Sequence, residues 1–308
     1  SSTCACTEPL AERSAAATCA VGAAPASRRR NSLKSRLCAA TIWRASLAGV
    51  AWAADSSALI VTADEAGRRP SFTVDPRSGA VAKLTDDDYA YTDVCPAPGG
   101  GIYAVRSSYD VAPHPVRLDL DGTVTELPGV DVPELPGTLT ELVATAAAGP
   151  PIRSWLTLPS GAAPAELVLW IHGGPLGSWN TWHWRWNPWL LTAHGYAVLL
   201  PDPGLSTGYG QQFIQRGWGA WGADPYTESR TAAMGGSFGG YMANWIAGQT
   251  DRFDAIVTHA SLWALDQFGP TTDGAYWWAR EMTPEMTQRN SPHRQVARSN
   301  TPMLVIHG

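Results

Sequence analysis

The chain is short of charge. Of its 308 residues only 16% are Asp, Glu, Lys or Arg, and the balance is a mild −5. Nothing basic and patterned in it suggests nucleic acid, and no long run of like charge marks a solvated tail. Nor does any window reach the ~18 uninterrupted apolar residues of a membrane-spanning helix. The expectation is a soluble, cytoplasmic protein with no nucleic-acid or membrane partner. Cysteine is scarce as well, with five copies at Cys4, Cys6, Cys19, Cys38 and Cys95. Their number is odd and no pair has zinc-site spacing, so no metal is expected; a disulfide framework does not suit a chain this long. An initiating Met is also missing. The last residues, Met303-Leu304-Val305-Ile306-His307-Gly308, read as a buried strand and its exit. A piece of a longer protein is expected.

What is present falls into three textures. Residues 1–49 are rich in Ala, Ser and Arg and show neither helical nor strand periodicity, so they read as a low-complexity leader without a fold of its own. Residues 50–136 carry short β-like runs in a repeat: Leu59-Ile60-Val61 is echoed by Ile102-Tyr103-Ala104, and Asp75 with Gly79 by Asp119 with Gly122. The offset of about 43 residues suits four-stranded propeller blades, of which two would be present. A small β-sandwich is the plainer alternative. Residues 137–308 alternate strand and helix patterns, with apolar runs at Leu167-Val168-Leu169-Trp170-Ile171 and again at 196–200, 254–258 and 302–306. Asn187 before Pro188 reads as a helix start, and Gly195 as its stop. An α/β, doubly wound sheet is expected here.

Two motifs carry chemistry. The first is Gly235-Gly236-Ser237-Phe238-Gly239, followed by Gly240 and Tyr241, with an apolar run before and a helix-compatible run after. Glycines on both sides permit a sharp strand-to-helix turn that presents the serine, and the helix N-terminus beyond it turns free N–H groups toward a developing oxyanion. Ser237 is the expected nucleophile, with Phe238 N–H as one oxyanion donor. A glycine-rich turn that merely holds a serine is the bland alternative. The second motif, His172-Gly173-Gly174-Pro175, leaves the C-terminal end of a buried strand, where open α/β sheets bind ligands. Gly174 N–H is the expected second donor. Tyr209, in a loop at 203–210 that reads as flexible, and Tyr241 are candidate substrate contacts. The tryptophans at 179, 182, 184, 186 and 189 are expected to pack a loop or a domain interface. After Ser237 the chain offers His259, His293 and His307, but no acid-then-histidine pair in convincing positions for a base.

These motifs resemble the prolyl oligopeptidase family of serine peptidases, in particular its acylaminoacyl-peptidase and dipeptidyl-aminopeptidase-like bacterial members. Trp182-His183-Trp184-Arg185-Trp186-Asn187-Pro188, Ser206-Thr207-Gly208-Tyr209-Gly210 and Thr301-Pro302-Met303-Leu304-Val305-Ile306-His307-Gly308 match as well. The resemblance implies an α/β-hydrolase sheet, here truncated, preceded by a partial β-propeller. It implies acyl transfer from a short or N-terminally blocked peptide to Ser237 without a cofactor, and leaves homo-oligomer formation open. It also implies that the triad Asp and His lie beyond Gly308. Two departures stand out: a helix-length segment between Asp224-Pro225-Tyr226-Thr227 and the nucleophile strand is lacking, and Gly204 stands where the family has Arg. An esterase or lipase on the same fold, or a non-catalytic remnant, are the alternatives.

Overall fold

Three sheets organise the described residues. The computed structural model describes residues 46–132, 134–144, 150–161, 164–222 and 232–307. Most of the expected leader, residues 1–45, lies outside the described residues, as do Asp224-Pro225-Tyr226-Thr227 and the residues up to 231.

β1 (Ser46–Trp52), β2 (Leu59–Asp64), β3 (Ser71–Val74) and β4 (Val81–Lys83) form one antiparallel meander. β5 (Ala90–Pro96), β6 (Ile102–Ser107), β7 (His114–Leu118) and β8 (Val124–Glu126) form a second. β1 corrects the leader's boundary, because Ser46, Leu47 and Gly49 pair with Asp64, Ala63 and Thr62 of β2, with a register shift between Leu47 and Gly49. The repeat seen in the sequence is the equivalence of β2 with β6. Each is a central strand, buried throughout in β2 and at Ile102 and Ala104 in β6, and Ile60, Ile102 and Leu118 meet in one cluster between the two sheets.

The third sheet has seven strands, ordered β15-β14-β13-β11-β12-β10-β9. β9 (Gly137–Ala144) and β10 (Ile152–Pro159) enter antiparallel, and β11 (Leu167–Ile171), β12 (Ala197–Pro201), β13 (Ala232–Gly236), β14 (Ile256–His259) and β15 (Met303–Ile306) are mutually parallel. Parallel strands need cover on both faces, which is why β11 and β12 are apolar throughout rather than alternating. One face, with Leu169, Ile171 and Ala233, packs under α3 (Phe238–Ala247). The other, with Val168, Trp170, Val198 and Leu200, packs against Trp155, Trp179 and Tyr109. Tyr109 belongs to the β6–β7 connection, so the propeller part and the sheet share a core.

The helices are short. α1 (Pro188–Thr192) begins as the sequence suggests: the Asn187 side chain accepts the Trp189 N–H at 3.0 Å, and Gly195 sits at φ 92° beyond its end. α2 (Gln211–Gly217), α4 (Leu265–Thr271), α5 (Ala275–Trp278) and α6 (Pro284–Asn290), with a 3-10 turn at Pro292–Arg298, complete the described elements. No described helix is long and apolar enough to cross a membrane.

At the centre of the α3 face lies Trp221, fully buried, whose indole N–H donates to Glu281 Oε2 at 2.8 Å. Burial pushes the Glu281 carboxyl above its ordinary range, against the opposing effects of that hydrogen bond and of Arg280. A carboxyl raised on folding binds more protons in the folded state, so stability falls as pH climbs from the unfolded value through the folded one. Glu281→Gln keeps a carbonyl acceptor for Trp221 and removes this loss. The urea midpoint of the variant is expected to overtake wild type progressively as pH is raised above 4.5. A difference between the two that does not change with pH would contradict it.

Candidate active site

β13 delivers a serine to solvent from within a buried frame. Gly235, Gly236, Phe238, Gly239 and Gly240 are all buried, and Ser237 between them is exposed. Ser237 has φ 54° and ψ −118°, the strained conformation of a sharp strand-to-helix turn. Two backbone bonds fix it: Ser237 N–H donates to His259 O at 3.0 Å, and Ser237 O accepts Tyr241 N–H at 2.9 Å. The turn is tight enough that side chains are excluded. A Cβ on Gly235 would run into the Gly239 backbone, and one on Gly239 into the Ile171 carbonyl. Gly240 lies against Ser261, and Gly236 against the Trp186 ring.

The loop after β11 passes directly over this turn. A Cβ on Gly173 would be 3.1 Å from Gly236 O and 3.5 Å from Ser237 Cβ. Gly174 has φ 132°, and its peptide bond to Pro175 is cis. Gly174, Ser237 and Phe238 line one cleft of about 540 Å³. Among the described residues neither Gly174 N–H nor Phe238 N–H has an acceptor. Two free donors thus share the cleft with the exposed hydroxyl.

His172 is buried and serves the loop rather than the serine. Its Nδ1 faces Gly173 O at 2.8 Å and so carries a proton there, while Nε2 meets Ser206 Oγ at 2.8 Å. With both nitrogens occupied it is not free to act as a base.

Opposite the turn the cleft wall is aromatic, built from Trp221, Trp263, Phe268 and Trp278 with Leu262. Most of these come from the connection after β14 and from α4 and α5. The sequence signal for these aromatics is their place in the stretch after β14, the strand beside β13.

Tyr209 and Tyr241 are corrected as substrate contacts. Neither borders the cleft. Tyr209 donates its hydroxyl to Asp202 Oδ2 at 2.6 Å, and Tyr241 is fully buried with its hydroxyl on Asn290 O at 2.8 Å. Burial pushes both phenols well above their ordinary range. Nor is the stretch at 203–210 loose, because residues 203–206 and 208 are buried. Of the five clustered tryptophans, Trp179, Trp182 and Trp189 are buried at the junction of the two parts, where Trp189 Nε1–H donates to Tyr109 O at 2.6 Å. Trp184 is exposed, and Trp186 stands edge-on to His259 with ring centroids 5.5 Å apart.

No described histidine hydrogen-bonds Ser237. His259 gives its carbonyl to Ser237 N–H and its ring to Trp186. Asp266 is paired with Arg294 at 3.0 Å instead of with a histidine. His293 sits in the 3-10 turn with its N–H on Trp263 O, and His307 borders the cleft without an acid partner among the described residues.

Comparison with known proteins agrees with this layout. Residues 223–308 match the model of the prolyl oligopeptidase family. Probable dipeptidyl-peptidase 5 of Emericella nidulans is 32% identical over 188 residues, which cover 51% of this chain and 26% of that protein. Dipeptidyl-peptidase 5 of Porphyromonas gingivalis is 24% identical, covering 84% of this chain and 43% of its own length. Among solved structures, Pyrococcus horikoshii acylaminoacyl peptidase shares the fold with a TM-score of 0.73 at 17% identity, covering 86% of this chain and 46% of that one. A puromycin-hydrolyzing peptidase of Mycobacterium tuberculosis does so at 0.69 and 24%, covering 84% and 44%. The chain therefore spans less than half the length of each of these relatives. The shared fold is an α/β-hydrolase sheet preceded by propeller blades. Over residues 223–308, which include the serine turn, the chain is similar to the prolyl oligopeptidase family.

Proposed function

We propose that this chain carries the nucleophile and oxyanion hole of a serine peptidase acting on short or N-terminally blocked peptides. The observation that carries the reading is the shared cleft, in which exposed Ser237 meets the free N–H groups of Gly174 and Phe238. Ser237 Oγ attacks the scissile carbonyl carbon, and the carbonyl oxygen takes the negative charge toward those two N–H groups. Collapse expels the amine, which takes up the proton that left Ser237, and water then cleaves the acyl-enzyme. The aromatic wall suits a large apolar side chain on the residue that is acylated onto Ser237. The names of the matched relatives, a dipeptidyl-peptidase and an acylaminoacyl peptidase, support the substrate class.

The proton of Ser237 has no histidine acceptor among the described residues. Without a base, the hole and binding alone sustain only ~10³–10⁴-fold catalysis over water. This 308-residue chain is accordingly expected to hold a transition-state mimic without turning substrate over at enzyme rates.

The test is a titration with N-acetyl-phenylalanine boronic acid, which forms a tetrahedral adduct with a serine oxygen. Binding should weaken about a hundredfold or more in Ser237→Ala, since mimics of this kind exceed substrate affinity by at least that factor. Equal binding by both chains would remove Ser237 from the role of nucleophile. Ordinary turnover of a phenylalanyl amide by the wild-type chain would show instead that a base is at hand.

A further inference from the structure

The glycine loop has little of its own to hold it in place, and what anchors it lies in the segment after β12. Thr207 N–H donates to Gly177 O at 2.8 Å, and Ser206 Oγ meets His172 Nε2. At the head of that segment stands Asp202, whose side chain is fully buried. Its Oδ1 accepts Trp179 N–H at 2.8 Å, and its Oδ2 accepts the Ser178 hydroxyl at 2.9 Å and the Tyr209 hydroxyl at 2.6 Å. Arg153 Nη1 lies 3.5 Å from Oδ2, and His172 Nε2 lies 3.8 Å from Oδ1. The backbone of Asp202 is fixed in turn, its N–H donating to Arg153 O at 2.9 Å.

Two of these donors, Ser178 and Trp179, are the far end of the loop that begins at His172. The carboxylate therefore ties that end down on the strand next to β11, while His172 and Ser206 hold the near end. Between the two anchors lies Gly174. The same segment is tied to the propeller part: Thr207 Oγ1–H donates to Asp64 Oδ2 at 2.6 Å, and Ala66 N–H donates to Gly208 O at 3.1 Å.

We propose that Asp202 is the positioning residue of the oxyanion loop, holding Gly174 N–H over Ser237 through its bonds to Ser178 and Trp179. This rests on the reading of Gly174 as an oxyanion donor. Asp202 touches no substrate atom; it acts through the loop. A buried acceptor with several donors loses most when its charge is removed, because hydrogen bonds to a charged group are the strong ones. Asp202→Asn is the conservative probe, since one carbonyl oxygen can still take Trp179 N–H while the amide nitrogen cannot accept from Ser178 or Tyr209.

The experiment is amide hydrogen exchange on the 308-residue chain, read segment by segment, with the urea midpoint measured alongside. In Asp202→Asn, exchange across residues 173–178 should rise by about tenfold or more while that of α3 stays at the wild-type rate. Tyr209→Phe, which removes one donor without touching the loop, serves as a second variant should Asp202→Asn fail to fold. It should raise exchange in the same segment by a smaller factor. Unchanged exchange at 173–178 in the folded variants, or a uniform rise that includes α3, would overturn the proposal.

The boronic acid supplies the readout that a merely structural role would not move. Its affinity should fall about tenfold in Asp202→Asn, while that of the corresponding N-acetyl-phenylalanine amide, which forms no oxyanion, should not change. Equal losses for both ligands would count against positioning. If the wild-type chain fails to bind the boronic acid at all, the peptidase reading falls, and the exchange data still decide whether Asp202 holds the loop.

Discussion

Gly239→Ala should leave the hydrolase part unfolded. A methyl group at this position would overlap the Ile171 carbonyl oxygen and lie 2.9 Å from Ile171 C and 3.0 Å from His172 O. These are backbone atoms of Ile171, which ends β11 and is paired with Gly235 of β13, and of His172 just beyond it, so they cannot step aside as a flexible side chain would. To make room, α3 must lift from the sheet, and with it the cluster of Phe238, Tyr241, Met242, Trp245 and Ile246. A loss of more than ~4–5 kcal/mol falls among the largest single-residue effects and is comparable with the whole stability of an ordinary domain. Tryptophan fluorescence during urea unfolding is the measurement, with the cooperative transition of the sheet expected to vanish. Gly269→Ala is the control: a Cβ there meets nothing within 4 Å, so its midpoint should stay close to wild type. A normal transition in Gly239→Ala would mean that the packing of helix against strand is looser than the structure shows.

Trp221→Ala should cost about 3–5 kcal/mol, the usual range for truncating a buried aromatic to alanine. Its ring stands perpendicular to Phe238 at 4.9 Å and lies 5.4 Å from Tyr241 and 5.9 Å from Trp278, so one truncation empties the middle of a four-ring cluster. A second loss adds to the cavity, because Glu281 Oε2 then lies buried without its donor. Trp221→Phe separates the two, since it refills much of the volume while still removing the indole N–H. The drop in urea midpoint should therefore be smaller in Trp221→Phe than in Trp221→Ala, yet larger than in Trp184→Ala, whose ring is 62% exposed. Exposed substitutions usually stay within about 0.5 kcal/mol. Because Trp221 also borders the cleft, boronic acid affinity should decline together with stability.

How far the sequence could be read differs sharply between neighbouring residues. Ser237 and its glycines were legible because the turn they make is a local matter: a serine needs those glycines within two residues to stand exposed at a strand end. The glycine loop was legible for the same reason, and so was the Asn187 cap. Tyr209 and Tyr241 were misplaced because position near a motif says nothing about which way a ring points. Tyr241 follows Ser237 by one helical turn, yet its ring packs among Trp221, Phe238 and Trp245 with its hydroxyl on Asn290 O, which spacing along the chain does not reveal. Most of the aromatic wall comes from one stretch, 262–278, whereas Trp221 joins it only through tertiary packing, which the sequence does not show.

The sequence pattern by itself determined the parallel sheet and the sharp turn that exposes Ser237. Apolar runs without alternation mark β11 and β12, buried inside the sheet, but the same pattern read as a buried strand at 303–306 is corrected by β15, an edge strand with Leu304, Val305 and Ile306 exposed. Tertiary structure alone decided what the turn faces and what holds its partner loop. Asp202 is a single acidic residue in a Pro-Asp-Pro-Gly stretch, and nothing in its surroundings along the chain marks it out. Its role exists only because the Ser178 hydroxyl, the Trp179 N–H, the Tyr209 hydroxyl and the Arg153 guanidinium converge on one buried point. Short-range geometry is written in residue spacing, whereas convergence of distant groups depends on how the sheet and its connections close over one another.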